Sequence, residues 1–226
     1  MVEKKADSRI KVLIADDHPM VRNALVRILS DEKDILVLDS AVDGLDALQK
    51  ALETRPDVIL MDMSMPNWGG LEAVTAIHQL VPLSRILILT LSDREIDLRR
   101  ALRYGAYGFL LKTARVDDLL KAVRRAAAGE AWLPGDMVAD LLEDFLKEPA
   151  EWLNLTGLER DSIHLMARGF SVDTIARDYF VSESMVRICL GRFLDRLHRK
   201  NREEAAAYLG ELQLPPAFQE LLSSSL

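Results

Sequence analysis

The residues best suited to chemistry in this sequence are carboxylates that follow short apolar runs. Val58-Ile59-Leu60-Met61 is a continuous apolar segment, typical of a strand buried on both faces of a parallel sheet, and Asp62 follows it directly. Pro66 then prevents further strand pairing. A carboxylate at the carboxyl end of a buried central strand lies in the crevice where doubly wound α/β folds bind ligands. Asp62 is therefore the leading candidate site residue; the alternative is a carboxylate that only caps the next helix.

Four further polar residues stand where other predicted strands end: Asp16 and Asp17 after the first, Thr90 after the fourth and Lys112 after the fifth. In a parallel sheet these ends meet at one edge. Three carboxylates close together repel one another, and Mg²⁺, which takes a few carboxylates and keeps several waters, relieves that repulsion. The ammonium of Lys112 and the hydroxyl of Thr90 suit an incoming phosphoryl group. A carboxylate nucleophile, a metal and a lysine together predict an aspartyl-phosphate site.

The first half of the chain alternates apolar strands with amphipathic helices. Five strands and five helices joined by right-handed crossovers predict an α/β fold, a doubly wound five-stranded parallel sheet covered on both faces. The predicted strands are 10–15, 35–41, 58–61, 85–90 and 107–112. The predicted helices begin at Pro19 and continue with 44–53, 71–80, 93–103 and 116–128.

Composition limits the class of protein. The chain has 226 residues, 49% of them hydrophobic and 29% charged, which indicates a soluble globular protein of one large or two small domains. No apolar run reaches the ~20 residues that span a bilayer, and the charged N-terminus lacks a signal segment. A single cysteine, Cys189, excludes an internal disulfide, so we expect a cytoplasmic protein without a membrane partner. The net charge of −7 requires any nucleic-acid surface to be local.

The second half of the chain shows helical patterns only. After a Pro-Gly turn signal at 134–135, residues 136–147 form a predicted amphipathic helix in a linker. Thr156 and Glu159 fit a capping box, and Ser171 and Ser182 cap the next two predicted helices, the second of which runs to about His198. A fourth helix is predicted over 202–212. A short helix, a tight turn and a longer helix are what a helix-turn-helix needs to place the longer one in a major groove.

Residues 9–128 resemble the receiver domain of two-component response regulators. The matching motifs are Asp16-Asp17-His18-Pro19, Met61-Asp62-Met63-Ser64-Met65-Pro66, Leu89-Thr90 and Gly108-Phe109-Leu110-Leu111-Lys112. The resemblance implies a flavodoxin-like fold in which Asp62 accepts phosphate from a histidine kinase or phosphotransfer protein. It also implies Mg²⁺ held by Asp16, Asp17, Asp62 and the backbone carbonyl of Ser64. Thr90 and Lys112 would then follow the phosphoryl group, Phe109 would be the aromatic switch residue, and His18 would have no role as a base.

Residues 153–212 resemble the LuxR-type helix-turn-helix of the NarL/FixJ class. The resemblance lies in Leu155-Thr156, Gly169-Phe170-Ser171, Val181-Ser182-Glu183 and Val186-Arg187, among other positions. It implies a transcriptional regulator, not an enzyme, whose phosphorylation releases the DNA-binding domain or makes it a homodimer. The partner would be double-stranded DNA. The candidate DNA-binding residues are Ser182, Ser184, Arg187, Arg192, Arg199 and Lys200.

One alternative to DNA binding stays open. Early in the predicted recognition helix the chain has Met185, Ile188 and Cys189, whose side chains cannot take hydrogen bonds from base edges. A phospho-switched adaptor would use these three residues as an apolar surface for a protein partner. The expected organisation is a receiver domain at 9–129, a linker at 130–151, the helix-turn-helix domain at 152–213 and a tail at 214–226. No second cluster of His, Cys or acids follows residue 130, so we expect no separate enzymatic output.

Overall fold

The computed structural model describes residues 7–66, 68–91, 97–133 and 156–211. Residues 7–133 form an α/β domain and residues 156–211 a helical domain. The predicted helix at 136–147, the rest of the linker from 134 to 151, and the tail at 214–226 lie outside the described residues, as do 93–96 of the predicted fourth helix. Among the described residues, no helix is both long and apolar enough to cross a membrane.

The α/β domain contains one five-stranded sheet whose strands are all parallel, in the order β2-β1-β3-β4-β5. This confirms the predicted doubly wound fold. The strands are β1 (Ile10–Ala15), β2 (Ile35–Ala41), β3 (Val58–Asp62), β4 (Arg85–Thr90) and β5 (Ala106–Leu111). The helices are α1 (Pro19–Ser30), α2 (Gly44–Thr54), α3 (Gly70–Leu80), α4 (Asp97–Tyr104) and α5 (Val116–Ala127).

Two apolar clusters, one on each face of the sheet, hold the helices in place. Because side chains alternate along a strand, Val12 and Ile14 pack with Leu29 of α1 and Val123 of α5, whereas Leu13 packs on the other face with α2 and α3. Every residue of β3 is buried, which agrees with its unbroken apolar sequence. Asp62 is the last residue of this strand, so the strand extends one residue beyond its predicted end.

The helical domain has four helices: α6 (Gly157–Ala167), α7 (Val172–Asp178), α8 (Glu183–Lys200) and α9 (Arg202–Gly210). The predicted capping box is confirmed, since the Glu159 backbone N–H bonds the Thr156 hydroxyl and the Glu159 carboxylate accepts from the Thr156 N–H. Ser171 and Ser182 cap α7 and α8 as predicted. The two helices are joined by a tight turn, and α8 is the longer one, as a recognition helix requires.

The two domains share one core. Buried side chains of α8 and α9, among them Leu190, Phe193 and Leu197, belong to the same apolar cluster as Leu102 and Tyr107 of the α/β domain. Helix α8 packs on α4, and α9 packs on α3. The molecule therefore has a closed arrangement, in which the helical domain lies against the face of the sheet covered by α3 and α4.

Candidate functional site

The carboxyl ends of β1, β3 and β5 bring three of the predicted site residues into contact. Lys112 Nζ lies 2.7 Å from Asp62 Oδ2 and 2.8 Å from Asp16 Oδ2. Both carboxylates are buried, Asp62 at 1% and Asp16 at 0% exposure. Burial on its own would lower the pKa of Lys112, but its hydrogen bonds to Asp16 and Asp62 outweigh that effect and raise the pKa. Lys112 is therefore a permanent cation between two buried acids.

Backbone N–H groups orient the two buried carboxylates. The N–H of Ser64 donates to Asp62 Oδ1 at 3.1 Å, and the N–H of His18 donates to Asp16 Oδ1 at 2.8 Å. The loop after β3 can pass so close because Gly70 opens α3 there, and a Cβ at Gly70 would overlap the Asp62 carbonyl oxygen. The Asp62 carboxylate is thus held by Ser64 and Lys112, and the Asp62 backbone packs closely against Gly70.

The acidic residues form a group that suits a divalent cation. One ligand atom from each of Asp16, Asp17, His18 and Asp62 lies within 4.8 Å of the others. Asp16 Oδ2 and Asp17 Oδ1 are buried and lie close to Lys112 Nζ and His18 Nδ1, but neither oxygen accepts a well-directed hydrogen bond from the described residues. Three carboxylates against one ammonium leave a formal charge of −2, which a hard dication would offset. The donor set therefore fits a metal such as Mg²⁺.

Thr90 and Phe109 lie on the two strands next to this pocket. Thr90 is buried at the end of β4, and its carbonyl accepts from the Lys112 N–H at 2.7 Å. Phe109 is fully buried in β5, with its backbone N–H donating to the Trp132 carbonyl at 2.9 Å. Trp132 in turn lies beside β5 through a parallel bridge to Gly108. Phe109, the residue predicted as a switch, is thus hydrogen-bonded to the segment that follows α5.

One face of helix α8 is turned toward the α/β domain. The α8 residues that contact the α/β domain recur three or four residues apart, so they share one side of the helix. The hydroxyl of Ser184 bonds Glu130, the carbonyl of Arg187 accepts from the Ala131 N–H at 3.3 Å, and Gly191 fits against Tyr107. Farther along, Asp195 pairs with Arg85 at 2.6 Å and His198 Nε2 lies 2.8 Å from the Leu102 carbonyl.

Gly191 is the closest point of this contact. A Cβ at position 191 would overlap the Tyr107 hydroxyl and lie only 2.5 Å from the Gly129 carbonyl oxygen. The Tyr107 hydroxyl is held there because it donates to that same carbonyl at 2.9 Å. Burial raises the pKa of Tyr107 to about 12, so the hydroxyl keeps its proton for this bond. Helix α8 and the α/β domain are in backbone contact at this place.

The structure divides the predicted DNA-binding residues into two groups. Ser184 and Arg187 lie at the interface between the domains, where the Arg187 side chain is only 14% exposed and its guanidinium stacks 5.2 Å from the Trp132 ring centre. Burial is the main cause that lowers the pKa of Arg187, and the positive charge of neighbouring Arg125 lowers it further. The other group is exposed: Ser182 at the start of α8, Arg192, and Arg199 with Lys200 at its end.

One prediction about α8 is wrong. Cys189 was expected on an apolar surface for a partner, but it is 2% exposed. Val186, Cys189, Leu190 and Phe193 recur at helical spacing and together form the side of α8 that packs inside the helical domain. Met185, at 42% exposure, does lie at the surface.

Sequence reasoning missed several residues that shape this site. His18, for which no role was expected, places Nδ1 2.6 Å from Asp17 Oδ1. Trp132, Gly191 and His198 join the two domains, and none carries a motif of its own. A glycine inside a helix of eighteen residues was the one available signal, because glycine lowers helix stability by ~1 kcal/mol unless close packing requires it.

Comparison with known proteins agrees with this architecture. Residues 12–124 match the family model of the response regulator receiver domain. The chain is 35% identical over 208 residues to the oxygen regulatory protein NreC of Staphylococcus carnosus, an alignment covering 88% of this chain and 96% of NreC. It is 35% identical over 202 residues to the nitrate/nitrite response regulator protein NarL of Escherichia coli K12, covering 88% of this chain and 94% of NarL.

Solved structures lead to the same family. A two-component response regulator of the LuxR family from Aurantimonas superimposes with a TM-score of 0.56 at 29% identity, covering 62% of this chain and 99% of that one. The receiver model covers half of the sequence and the curated relatives cover most of it. The chain belongs to the two-component response regulators of the NarL/FixJ class.

Proposed function

We propose that Asp62 is the phosphoacceptor of this response regulator and that a histidine kinase or phosphotransfer protein supplies the phosphoryl group. The observation that supports it is the contact of Lys112 with both Asp62 and Asp16. A lysine between two buried acids holds the Asp62 carboxylate in a fixed orientation at the carboxyl edge of the sheet. That is what an attacking carboxylate needs.

The residues of this chain have separate tasks in that reaction. An oxygen of Asp62 attacks phosphorus, the P–N bond of a ring-protonated phosphohistidine breaks, and the imidazole leaves neutral with the electron pair. Lys112 and the hydroxyl of Thr90 then face the new phosphoryl oxygens as charge and donor. Asp16, Asp17, Asp62 and the carbonyl of Ser64 would hold Mg²⁺, which, when bound, offsets charge on those oxygens.

Phosphorylation would control whether α8 can reach DNA. In the closed arrangement Ser184, Arg187 and Gly191 face the α/β domain, so a major groove cannot approach that side of the recognition helix. An acyl phosphate adds about −1.5 to −2 charges beside Lys112. Movement of Phe109 in β5 would pass through its bond to Trp132 and loosen the interface. We propose that the opened protein binds double-stranded DNA as a homodimer.

The proposed domain boundaries follow from the same scheme: a receiver at 9–129, a linker at 130–151, a DNA-binding domain at 152–213 and a tail at 214–226. The bridge between Gly108 and Trp132 lies within the first residues of the linker. The linker thus begins beside β5, joined to it by an isolated parallel bridge, so we expect a shift of that strand to be passed to the linker.

The phosphoacceptor is tested by incubating the chain with acetyl phosphate and Mg²⁺. The wild type should gain one phosphoryl group, and Asp62→Asn should gain none. Asp57→Asn is the matched control, because Asp57 lies at the opposite end of β3, where its carboxylate accepts from the Lys11 N–H at 2.8 Å. Labelling of Asp62→Asn, or labelling in excess chelator, would contradict the proposal.

A second function, a phospho-switched adaptor, has one observation in its favour. Phe180, at 96% exposure, lies in the turn before α8, and Met185 is exposed at the beginning of that helix. Exposed apolar surface is typical of protein docking sites. Fluorescence anisotropy with genomic DNA fragments separates the two functions, since an adaptor would show no DNA binding at low salt even when phosphorylated.

A further inference from the structure

Two histidines face each other across the interface between the domains. His78 is on α3 of the α/β domain and His198 is near the end of α8. Their ring centres are 4.6 Å apart, with a 64° angle between the planes. His198 is 4% exposed, whereas His78 keeps a partly accessible edge. Gly105, with φ of 146°, lies against the His78 side chain, where a Cβ would overlap it.

Hydrogen bonding favours the neutral form of His198. Its Nε2 is 2.8 Å from the Leu102 carbonyl oxygen, which can only accept, so Nε2 carries the proton. Its Nδ1 is buried and has no hydrogen-bond partner among the described residues. A second proton at Nδ1 would place a positive charge in a buried position next to the ring of His78.

The charges around the pair are mostly positive. The carbonyl oxygens of Leu102 and Ala106 favour a cation at His198. Asp195 is the one carboxylate among the groups that face the pair in the described residues, and it is already paired with Arg85 at 2.6 Å. The facing cations are Arg85 on β4, Arg199 on α8 and Arg202 at the start of α9.

Water can reach the pair without unfolding of either domain. A cavity of about 180 Å³ lies between the domains and is lined by both histidines, Asp195, Arg199 and Arg202. This volume exceeds the ~30 Å³ that one water occupies in the liquid. Protons can therefore exchange with the two imidazole rings while the domains are still together.

We propose that His78 and His198 form a pH-sensitive latch, in which the closed arrangement holds while both rings are neutral and opens when they take up protons. The latch acts independently of Asp62. Two imidazolium ions 4.6 Å apart would repel each other and the arginines around them, and the receiver and helical domains can separate to hydrate both rings.

The sign of the effect follows from the two arrangements. A hydrated imidazole has a pKa of about 6.5, which applies when the domains are apart. In the closed arrangement the pKa of His78 is lowered to about 4, mainly by burial and secondly by the positive charge of Arg85. The pKa of His198 is lowered well below its ordinary value, mainly by burial and secondly by the neighbouring His78. The closed arrangement binds fewer protons, so it is fully favoured above about pH 6.5 and is lost as the pH falls. Between pH 7.5 and 5.5 the closed-to-open ratio should fall about 10-fold for one histidine and about 100-fold for both.

The test uses the full chain carrying Asp62→Asn, so that phosphorylation has no part in the result. Small-angle scattering at pH 7.5 and 5.5 measures the separation of the domains, and proton NMR of the imidazole rings follows each titration. The parent chain should be compact at pH 7.5 and extended at pH 5.5. His78→Gln should reduce the change in closed-to-open ratio to about 10-fold, and His78→Gln with His198→Gln should abolish the pH dependence.

His164→Gln is the matched control, because His164 is exposed on α6 and outside the interface. This variant should open with acid like the parent. Far-ultraviolet circular dichroism distinguishes opening from unfolding. A parent chain that stays compact at pH 5.5, or a double glutamine variant that opens as the parent does, would overturn the latch. Neither result depends on whether Asp62 accepts phosphate.

Discussion

The backbone N–H of Phe109 donates to the carbonyl of Trp132 at 2.9 Å, which joins the buried aromatic residue of β5 to the first residues of the linker. On its other side, Trp132 lies under the guanidinium of Arg187 at 5.2 Å, and the Ala131 N–H donates to the Arg187 carbonyl. These contacts connect β5, the strand beside the proposed phosphoacceptor pocket, with α8. We propose that a change at Lys112 alters the position of α8 along this route of direct contacts.

The first prediction concerns Lys112. Lys112→Met removes the cation between two buried carboxylates while keeping the length of the side chain. Breaking a buried ion pair on one side costs about 3–5 kcal/mol, so the unfolding free energy without divalent cations should fall by about that amount. Millimolar Mg²⁺ should restore much of it, because a dication also neutralises Asp16 and Asp62.

Urea titrations with Mg²⁺ or with chelator measure this effect. Lys121→Met is the control, since Lys121 is exposed and pairs with Asp118 at a distance of 4.0 Å. Surface pairs of that kind contribute little, so the control should change stability by less than about 1 kcal/mol. Equal destabilisation with and without Mg²⁺ would argue against a metal site at these acids.

The second prediction concerns Gly191. Gly191→Ala adds a methyl group where Tyr107 and the Gly129 carbonyl already touch the helix. Overpacking of this kind costs about 1–3 kcal/mol, and here it acts only against the closed arrangement. Alanine also improves helix propensity, so the helical domain itself should not be weakened. Unphosphorylated Gly191→Ala should therefore bind DNA about 5- to 150-fold more tightly than the wild type.

Gly157→Ala is the matched control, because Gly157 begins α6 and an added Cβ there would meet nothing within 4 Å. Anisotropy titrations of the two unphosphorylated variants give the comparison. Tyr107→Phe added to Gly191→Ala removes one of the two overlapping groups and should recover part of the closed population. Unchanged affinity of Gly191→Ala would mean that this contact does not limit access to DNA.

Much of the fold could be predicted because its signals are local. The unbroken apolar run of β3 and the acids and lysine at strand ends identify the sheet and its pocket from residue types alone. Three helix starts could also be predicted, because each N-cap side chain bonds a backbone N–H only three residues further along the chain. These N-caps are Thr156, Ser171 and Ser182.

The interface could not be predicted, because it depends on residues far apart in the sequence. His78 meets His198 and Arg85 meets Asp195 only after both domains have folded and docked. The error over Cys189 has a related origin. The adaptor alternative assigned Met185, Ile188 and Cys189 to one exposed surface, whereas α8 has two covered sides, one inside its own domain and one against the receiver.

The third prediction tests the pair between Arg85 and Asp195. The two side chains are 25% and 30% exposed and 2.6 Å apart, so their interaction is only partly screened. Arg85→Glu should raise the open population through repulsion with Asp195, and Asp195→Arg should do so through repulsion with Arg85. The double reversal should recover part of the closed population, with a coupling of about 0.5–3 kcal/mol.

Recovery should be incomplete for a structural reason. Arg85 also stacks on the Tyr107 ring at 4.2 Å, and glutamate at position 85 cannot replace that contact. Scattering profiles at pH 7.5 give the open fraction of each variant. If the double reversal is more open than the sum of the two single changes, the pair does not hold the domains together.

The last prediction concerns the way the opened protein binds DNA. Arg192 and Arg199 are exposed on α8, whereas Met185 occupies a position where a base-reading helix would have a polar side chain. We expect affinity to rest on phosphate contacts and therefore to fall steeply with salt. Arg192→Ala and Arg199→Ala should each reduce the slope of log K against log salt by about 0.9, equally for specific and scrambled DNA. Arg187→Ala should also weaken binding to all sequences about equally.

Met185→Thr should act differently, because a hydroxyl can take part in base readout and one base-edge contact adds ~1–3 kcal/mol of discrimination. The measurement is anisotropy of the phosphorylated protein across a salt series, with a selected genomic site and scrambled DNA. Lys121→Ala, on the far α5 helix, controls for a general loss of positive charge and should leave the slope unchanged. Tight binding to the selected site alone, lost on Arg187→Ala but nearly independent of salt, would show that base contacts dominate the affinity and would contradict this prediction.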